Sequence, residues 1–353
     1  MSLKDGLIAR IATQGPITVA DYMAEALLHP VHGYYTTRDP LGTTGDFTTA
    51  PEISQMFGEL IGLSLAQSWL DHGAPAPFAL AELGPGRGTL MADILRATAR
   101  VPGFHDAARV TLIEASPALQ KVQRRTLDRF DITYVDGADH LPDAPLWLVA
   151  NEFFDALPVR QFQRDGTGWR ERCVGLSDNT LSFGLSPAAP QAMLAHRLDD
   201  TEDGQLVEIC PSAAPIISAI GTRIEAHGGT ALIIDYGDWR SLGDTLQSLQ
   251  DHKAVDPLAD PGQADLTAHV DFEALTQAAA PAACARVTPQ GVFLERLGIT
   301  ARAQALAAKL DGSALDAHIA AHRRLTHPDE MGNLFKVLGL FPTTAAPPPG
   351  LER

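Results

Sequence analysis

A short glycine-rich stretch constrains the fold of this chain more than any other feature. The apolar run Ala79-Leu80-Ala81 ends at Glu82, and glycines then occupy every second position, as Gly84, Gly86 and Gly88. A helical pattern follows from Thr89. A strand, a tight turn and a helix give this pattern when a ligand must approach the backbone of the turn, because glycine permits contacts that a side chain would block.

The glycine spacing favours S-adenosyl-L-methionine (SAM) over a dinucleotide. The dinucleotide fingerprint requires a glycine three residues after the second one, and Thr89 occupies that position. A dehydrogenase is therefore disfavoured. The pattern Glu82-x-Gly84-x-Gly86-x-Gly88 resembles the first motif of class I SAM methyltransferases. An ordinary glycine-rich turn is the alternative.

Further buried strands are predicted after the turn, and each ends in polar residues. They cover residues 109–114, 132–136, 146–150 and 230–235. Alternation of strands with helices predicts an α/β fold, with a Rossmann-like, mostly parallel sheet and helices on both faces. Candidate closing strands lie at 285–287 and 334–338.

Other segments predict additions to this sheet. We expect an N-terminal helical region at 1–75, packing on the cofactor site, and a SAM-dependent methyltransferase domain at 76–353. Alternating residues with Asp-Gly and Asp-Asn turns predict a β-meander within an insertion at about 159–228. A second insertion, at about 238–271, could be a lid, a substrate loop or packing. The spacing of Thr49 and Glu52 predicts a capping box.

The net charge of −16 argues against a nucleic-acid partner, because phosphate binding requires a basic surface. It suits a cationic target, although solubility is the simpler explanation. The three cysteines lie far apart, as in a reducing compartment. No apolar run reaches membrane-spanning length, and no targeting pattern is present at the start. We therefore expect no membrane insertion and a bacterial cytoplasmic location; the oligomeric state, including a homodimer, is open.

Acidic residues after successive strands are candidate cofactor contacts. The backbone at Gly84, Gly86 and Gly88 would hold the methionine end of SAM. Glu114 would accept hydrogen bonds from the ribose, and Asp136 from the adenine amine. Capping of the following helices is the alternative, but acids in line with the glycine turn favour a ligand site.

The segment that follows the fourth strand is the catalytic candidate, formed by Asn151, Glu152 and Asp155. The carboxylates of Glu152 and Asp155 could bind a guanidinium group through hydrogen bonds, orient it and accept its proton. Helix capping is the alternative. His318 and His322 have a zinc-like spacing, but the adjacent arginines favour a solvated helix face, so no metal is predicted.

Several long motifs together resemble the MidA-like family, which includes a mitochondrial respiratory complex I assembly methyltransferase. They cover residues 45–55, 82–90, 151–158, 234–237 and 264–272. The resemblance implies a class I methyltransferase fold with SAM as the donor, and it places Gly45, Asp46 and Phe47 near the cofactor. It also implies arginine methylation of a protein substrate, with a complex I (NADH dehydrogenase) core subunit as the expected acceptor.

The sequence therefore predicts a SAM-dependent protein arginine N-methyltransferase. Two alternatives stay open at this point. One is a SAM-dependent methyltransferase of another substrate, and the other is a non-catalytic assembly chaperone with a methyltransferase fold.

Overall fold

The computed structural model describes residues 2–37, 48–250 and 252–353. The chain divides into two compact units. The first unit comprises Met1–Phe47, Asp155–Ala213 and Arg240–Asp271, and the second comprises Thr48–Phe154, Ala214–Trp239 and Phe272–Arg353. This division differs from the predicted boundary at residues 75 and 76, which stays a prediction.

The α-helices in the described part of the chain are α1 Leu3–Gln14, α2 Val19–Leu28, α3 Tyr34–Thr37, α4 Ala50–Ile53, α5 Gln55–Asp71, α6 Thr89–Thr98, α7 Phe104–Ala107, α8 Pro117–Thr126, α9 Ala213–His227, α10 Phe272–Ala278, α11 Gln290–Arg296, α12 Ile299–Ala307 and α13 Gly312–Thr326. The strands are β1 Ile17–Thr18, β2 Phe78–Leu83, β3 Ala108–Ile113, β4 Ile132–Val135, β5 Leu146–Asn151, β6 Arg160–Asp165, β7 Gly168–Ser177, β8 Thr180–Leu185, β9 Leu206–Ile209, β10 Gly229–Asp238, β11 Gln247–Gln250, β12 Lys253–Val255, β13 Asp265–Thr267, β14 Val270–Asp271, β15 Ala283–Cys284, β16 Thr288–Pro289 and β17 Phe335–Phe341.

The second unit is built on a mostly parallel sheet with the strand order β15-β17-β10-β5-β2-β3-β4. The neighbours from β10 to β4 are parallel, whereas β17 is antiparallel to β10. The chain runs from β2 outward to β4 on one side and continues from β5 on the other. The order therefore reverses between β2 and β5, and ligands of α/β sheets bind at such a point. This sheet confirms the predicted α/β class.

The core of the second unit explains why these segments form strands and helices. Every residue of β2 and of β5 is buried, as expected for parallel strands that are covered on both faces. The apolar face of α6, which carries Leu90, Ile94 and their neighbours, packs against α5. Gly62 permits this close approach, because a Cβ there would lie 2.9 Å from the Cα of Ile94.

The first unit contains α1, α2 and two antiparallel sheets. One sheet has the order β1-β7-β6-β9, with β8 also paired to β7. Strands β6, β7 and β8 confirm the predicted β-meander. The predicted second insertion, at about 238–271, contains the second sheet, in the order β12-β11-β13. The predicted closing strand at 285–287 is displaced: residues 283–284 and 288–289 form the strands that pair with β17, and between them the N–H of Ala285 donates to the carbonyl of Gly339 at 2.8 Å.

Candidate functional site

The strand register of the second unit brings the predicted residues to one edge of the sheet. Leu83 of β2 lies beside Ile113 of β3, and Ile113 lies beside Val135 of β4. The next residues, Gly84, Glu114 and Asp136, therefore leave the sheet on neighbouring strands roughly 5 Å apart. On the other side Leu83 pairs with Ala150, so Asn151 and Glu152 leave β5 at the same edge.

The glycine turn has the backbone geometry that its sequence predicts. Gly84, Gly86 and Gly88 all have positive φ, at 59°, 53° and 82°. A Cβ on Gly84 would lie 2.8 Å from Cδ2 of Phe153, so the turn and the segment after β5 are in close contact. A side chain at this glycine would therefore both strain the backbone and displace the Phe153 ring.

Gln123 of α8 connects the glycine turn to Glu114. Its Nε2 donates to the carbonyl of Gly86 (2.7 Å) and to Oε2 of Glu114 (3.1 Å). The side chain is fully buried. This residue could not be predicted from the sequence, because a lone glutamine on an amphipathic helix gives no indication of a site.

The buried carboxyl group of Glu82 and the half-buried one of Glu114 lie next to the turn. Burial raises the pKa of Glu82 to about 8; the backbone N–H of Met91 opposes this shift and the charge of Glu114 adds to it. Burial also raises the pKa of Glu114, against hydrogen bonds from the Ser116 backbone and Gln123. Glu114 Oε1 accepts the Ser116 N–H at 2.7 Å. Glu82 therefore holds a proton at neutral pH, and Glu114 is the acceptor at this edge of the sheet that suits a ligand with hydroxyl donors.

The segment after β5 holds one carboxylate in a fixed orientation. Glu152 has φ 52°, which is uncommon for a residue with a side chain. Its Oε1 accepts the N–H of Ala50 (3.0 Å) and the Nδ2 of Asn151 (2.9 Å). Asn151 is buried, and no donor reaches its Oδ1 from the residues that the structure describes.

Asp235 of β10 is a second residue of the site that was not predicted from the sequence. Its Oδ2 accepts the N–H groups of Phe153 (3.2 Å) and Phe154 (2.9 Å), and its Oδ1 accepts the Tyr236 N–H at 3.0 Å. Its place at the end of the predicted strand 230–235 could have identified it as a site residue.

The capping box predicted for Thr49 and Glu52 is wrong. Thr49 is the N-cap of α4, but its side chain caps no backbone N–H of the described helix. Glu52 Oε1 instead accepts the Thr89 hydroxyl of α6 at 2.5 Å. A partner on another helix thus replaces the local one.

The other predicted residues differ in burial and position. Asp136, which follows β4 at the same edge of the sheet, is exposed. Asp155 belongs to the first unit and is buried; its carbonyl accepts the Ala268 N–H at 3.0 Å. Burial and the charges of Asp265 and Asp155 raise the pKa of Tyr35 in the same unit. Gly45, Asp46 and Phe47 are outside the described residues, and their predicted roles stay predictions.

The two histidines with zinc-like spacing bond to different groups. His318 Nε2 lies 3.0 Å from the carbonyl of Ala303, and His322 Nε2 lies 3.0 Å from the hydroxyl of Thr300. Across residues 2–37, 48–250 and 252–353, no group of three His, Cys, Asp or Glu side chains could hold a metal ion. None of the helices in that part of the chain is long and apolar enough to cross a membrane.

A glycine turn at the reversal point of a mostly parallel sheet, with an acid on the next strand, is typical of nucleotide-binding α/β folds, which include the class I SAM-dependent methyltransferases. Residues 60–290 match the model of a family described as S-adenosyl-L-methionine-dependent methyltransferases. The chain belongs to this MidA-like family and is a SAM-dependent methyltransferase.

Relatives and solved structures agree with this assignment. The chain is 37% identical to protein arginine methyltransferase NDUFAF7, mitochondrial, of Xenopus laevis, over 97% of this chain and 84% of the relative. It is 38% identical to the human protein of the same name, over 95% and 82%. A Burkholderia thailandensis crystal structure with bound S-adenosyl-homocysteine has a TM-score of 0.83 and 30% identity, and the match covers 99% of this chain and 94% of that one.

These comparisons confirm the predicted family, fold and cofactor. They contradict the predicted bacterial cytoplasmic location, because the curated relatives carry mitochondrial names. That prediction rested on the absence of a targeting pattern at the start of the sequence, which is a weak indicator of location.

Proposed function

We propose that this methyltransferase acts on arginine side chains of a protein, and that a respiratory complex I core subunit is the acceptor. The observation that carries the proposal is the fixed carboxylate of Glu152 at the same sheet edge as the glycine turn. Identity of 37% to a protein arginine methyltransferase supports the choice of arginine. The resemblance to the MidA-like family supports the complex I subunit.

The residues at the sheet edge fit SAM. The backbone of Gly84, Gly86 and Gly88 would hold its methionine end, Glu114 its ribose and Asp136 its adenine. Gln123 would keep Glu114 in place, since it joins that carboxylate to the turn. When bound, SAM supplies a methyl group activated by a neighbouring positive sulfur.

Glu152 would orient the acceptor. A carboxylate pairs with a guanidinium through two parallel hydrogen bonds, which fixes the direction of the reacting nitrogen. The same group would accept the proton that this nitrogen loses on methylation. Asn151 would hold Glu152 through the bond already present between them. The role of Asp155 in binding the acceptor stays a prediction from the sequence.

The test is methyl transfer from labelled SAM to mitochondrial extract, with the modified residue identified by mass spectrometry. We expect label on arginine of a complex I subunit. Glu152→Gln should lower transfer by about 100-fold, since a misplaced acceptor costs that much. The exposed Asp128, replaced by asparagine, is the matched control and should transfer normally.

Each part of the proposal can fail separately. Label on lysine or on a small molecule would refute arginine methylation, and label on arginine of another protein would refute only the complex I acceptor. A homodimer also stays a prediction, which sedimentation velocity of the purified chain decides.

A further inference from the structure

The segment that carries Glu152 is attached to β10 by a group of hydrogen bonds. The N–H groups of Phe153 and Phe154 converge on Oδ2 of Asp235. The N–H of Glu152 itself donates to the carbonyl of Ile234 at 2.9 Å. Bonds from backbone N–H groups to a carboxylate are stronger than those between neutral groups. Consecutive residues after β5 are thus bound to one point of the neighbouring strand.

This attachment coincides with unfavourable backbone geometry. Glu152 has φ 52°, and a residue with a side chain keeps such a conformation only where its surroundings enforce it. The residues that follow Glu152 are the ones that Asp235 holds. Asp235 is fully buried, so its bonds do not compete with bulk water. The geometry therefore indicates that Asp235 keeps Glu152 in its left-handed conformation.

The conformation of Glu152 determines where two functional groups lie. It brings the Glu152 carboxylate to the N–H of Ala50 and the amide of Asn151. It also places the Phe153 ring against Gly84 of the glycine turn. If the attachment loosened, the carboxylate would lose its fixed orientation, because Asp235 holds the backbone N–H groups of the residues that follow Glu152.

We propose that Asp235 is a positioning residue for methyl transfer, which acts through Glu152. The proposal rests on the proposed role of Glu152 in orienting the acceptor. A shift of about 1 Å in a group that orients a reactant can lower the rate about 100-fold. Asp235 therefore controls kcat through backbone geometry.

The first test measures the attachment without measuring activity. In Asp235→Asn the charge is lost and one of the two oxygens becomes an NH₂ group, so the side chain can no longer accept the N–H groups of Phe153, Phe154 and Tyr236 together. We expect hydrogen exchange at the amides of Phe153 and Phe154 to become much faster than in the wild-type chain. Asp93→Asn is the matched control, since Asp93 is also a buried acid of the second unit but bonds to Arg96. Unchanged exchange at residues 153 and 154 in Asp235→Asn would overturn the proposal.

The second test is a double-mutant cycle on methyl transfer to an arginine peptide. Asp235→Asn should lower kcat about 100-fold and change SAM affinity much less. Combined with Glu152→Gln, it should cost no more than the larger single loss, because both variants remove one function. Losses that multiply would show that Asp235 acts independently of Glu152 and would overturn the proposal.

Two further outcomes separate this inference from the proposed function. A wild-type chain that methylates no arginine refutes the proposed function, and the proposed role of Asp235 in methyl transfer is refuted with it. The exchange experiment still decides whether Asp235 holds the segment after β5.

If Asp235→Asn does not fold, Glu152→Gly and Glu152→Ala are compared. Glycine tolerates φ 52°, so Glu152→Gly should melt at the higher temperature. Equal melting temperatures would show that the backbone there is not enforced, contrary to the proposal.

Discussion

Replacing Glu82 by glutamine should remove a large part of the pH dependence of folding stability. Burial raises the pKa of this carboxyl group from its ordinary value of 4.5 to about 8 in the folded chain. Glu82 is only 3% exposed, so solvent screens it little. One pKa unit corresponds to 1.36 kcal/mol, and the whole difference therefore amounts to about 5 kcal/mol.

The sign follows from proton binding. Between pH 4.5 and about 8 the folded chain keeps a proton on Glu82 that the unfolded chain has released. The free energy of unfolding therefore falls as the pH rises through this range, and the full contribution of the protonated group is present only below pH 4.5. Between about pH 5.5 and pH 7.5 the expected fall is about 3 kcal/mol.

Urea unfolding, followed by circular dichroism at several pH values, measures this slope. In Glu82→Gln this fall in the free energy of unfolding with pH should disappear, because the amide does not ionise. Ser64→Ala is the control: it removes a buried hydrogen bond to the carbonyl of Pro349 but no ionisable group, and it should keep the wild-type slope. The same slope in Glu82→Gln as in the wild-type chain would refute the reasoning.

Three further variants test the site and its support. Gly84→Ala should destabilise the second unit by about 1–2 kcal/mol, from its positive φ, and calorimetry should show weaker SAM binding because the Phe153 ring must move. Glu114→Ala should raise the Kd for SAM roughly 10- to 100-fold through a lost charged hydrogen bond; an unchanged Kd would remove Glu114 from the site. Arg302→Ala should lower the melting temperature, because it removes a paired cation from the buried Glu59; an equal Tm would contradict this.

Some of the site could be predicted because its signals are local. The glycine turn shows in the sequence because each glycine satisfies a backbone requirement at its own position, and the structure gives all of them positive φ. Buried strands are visible as apolar runs. The acid that follows each strand, as at Glu114, needs only the end of that strand to be located. The residues at this edge of the sheet can therefore be predicted from the sequence without knowledge of any tertiary contact.

Only the tertiary structure decided which groups touch. Gln123 and Asp235 reach the site because strands and helices distant in sequence lie side by side, and register between such segments is not encoded in either one alone. The Glu52 carboxylate could accept a hydrogen bond from its own helix terminus or from a distant hydroxyl group. In the folded chain it accepts the hydroxyl of Thr89, because α4 and α6 are in contact. Periodicity fixes which face of an element is buried, whereas the partner of a buried polar group depends on the free energy of the whole fold.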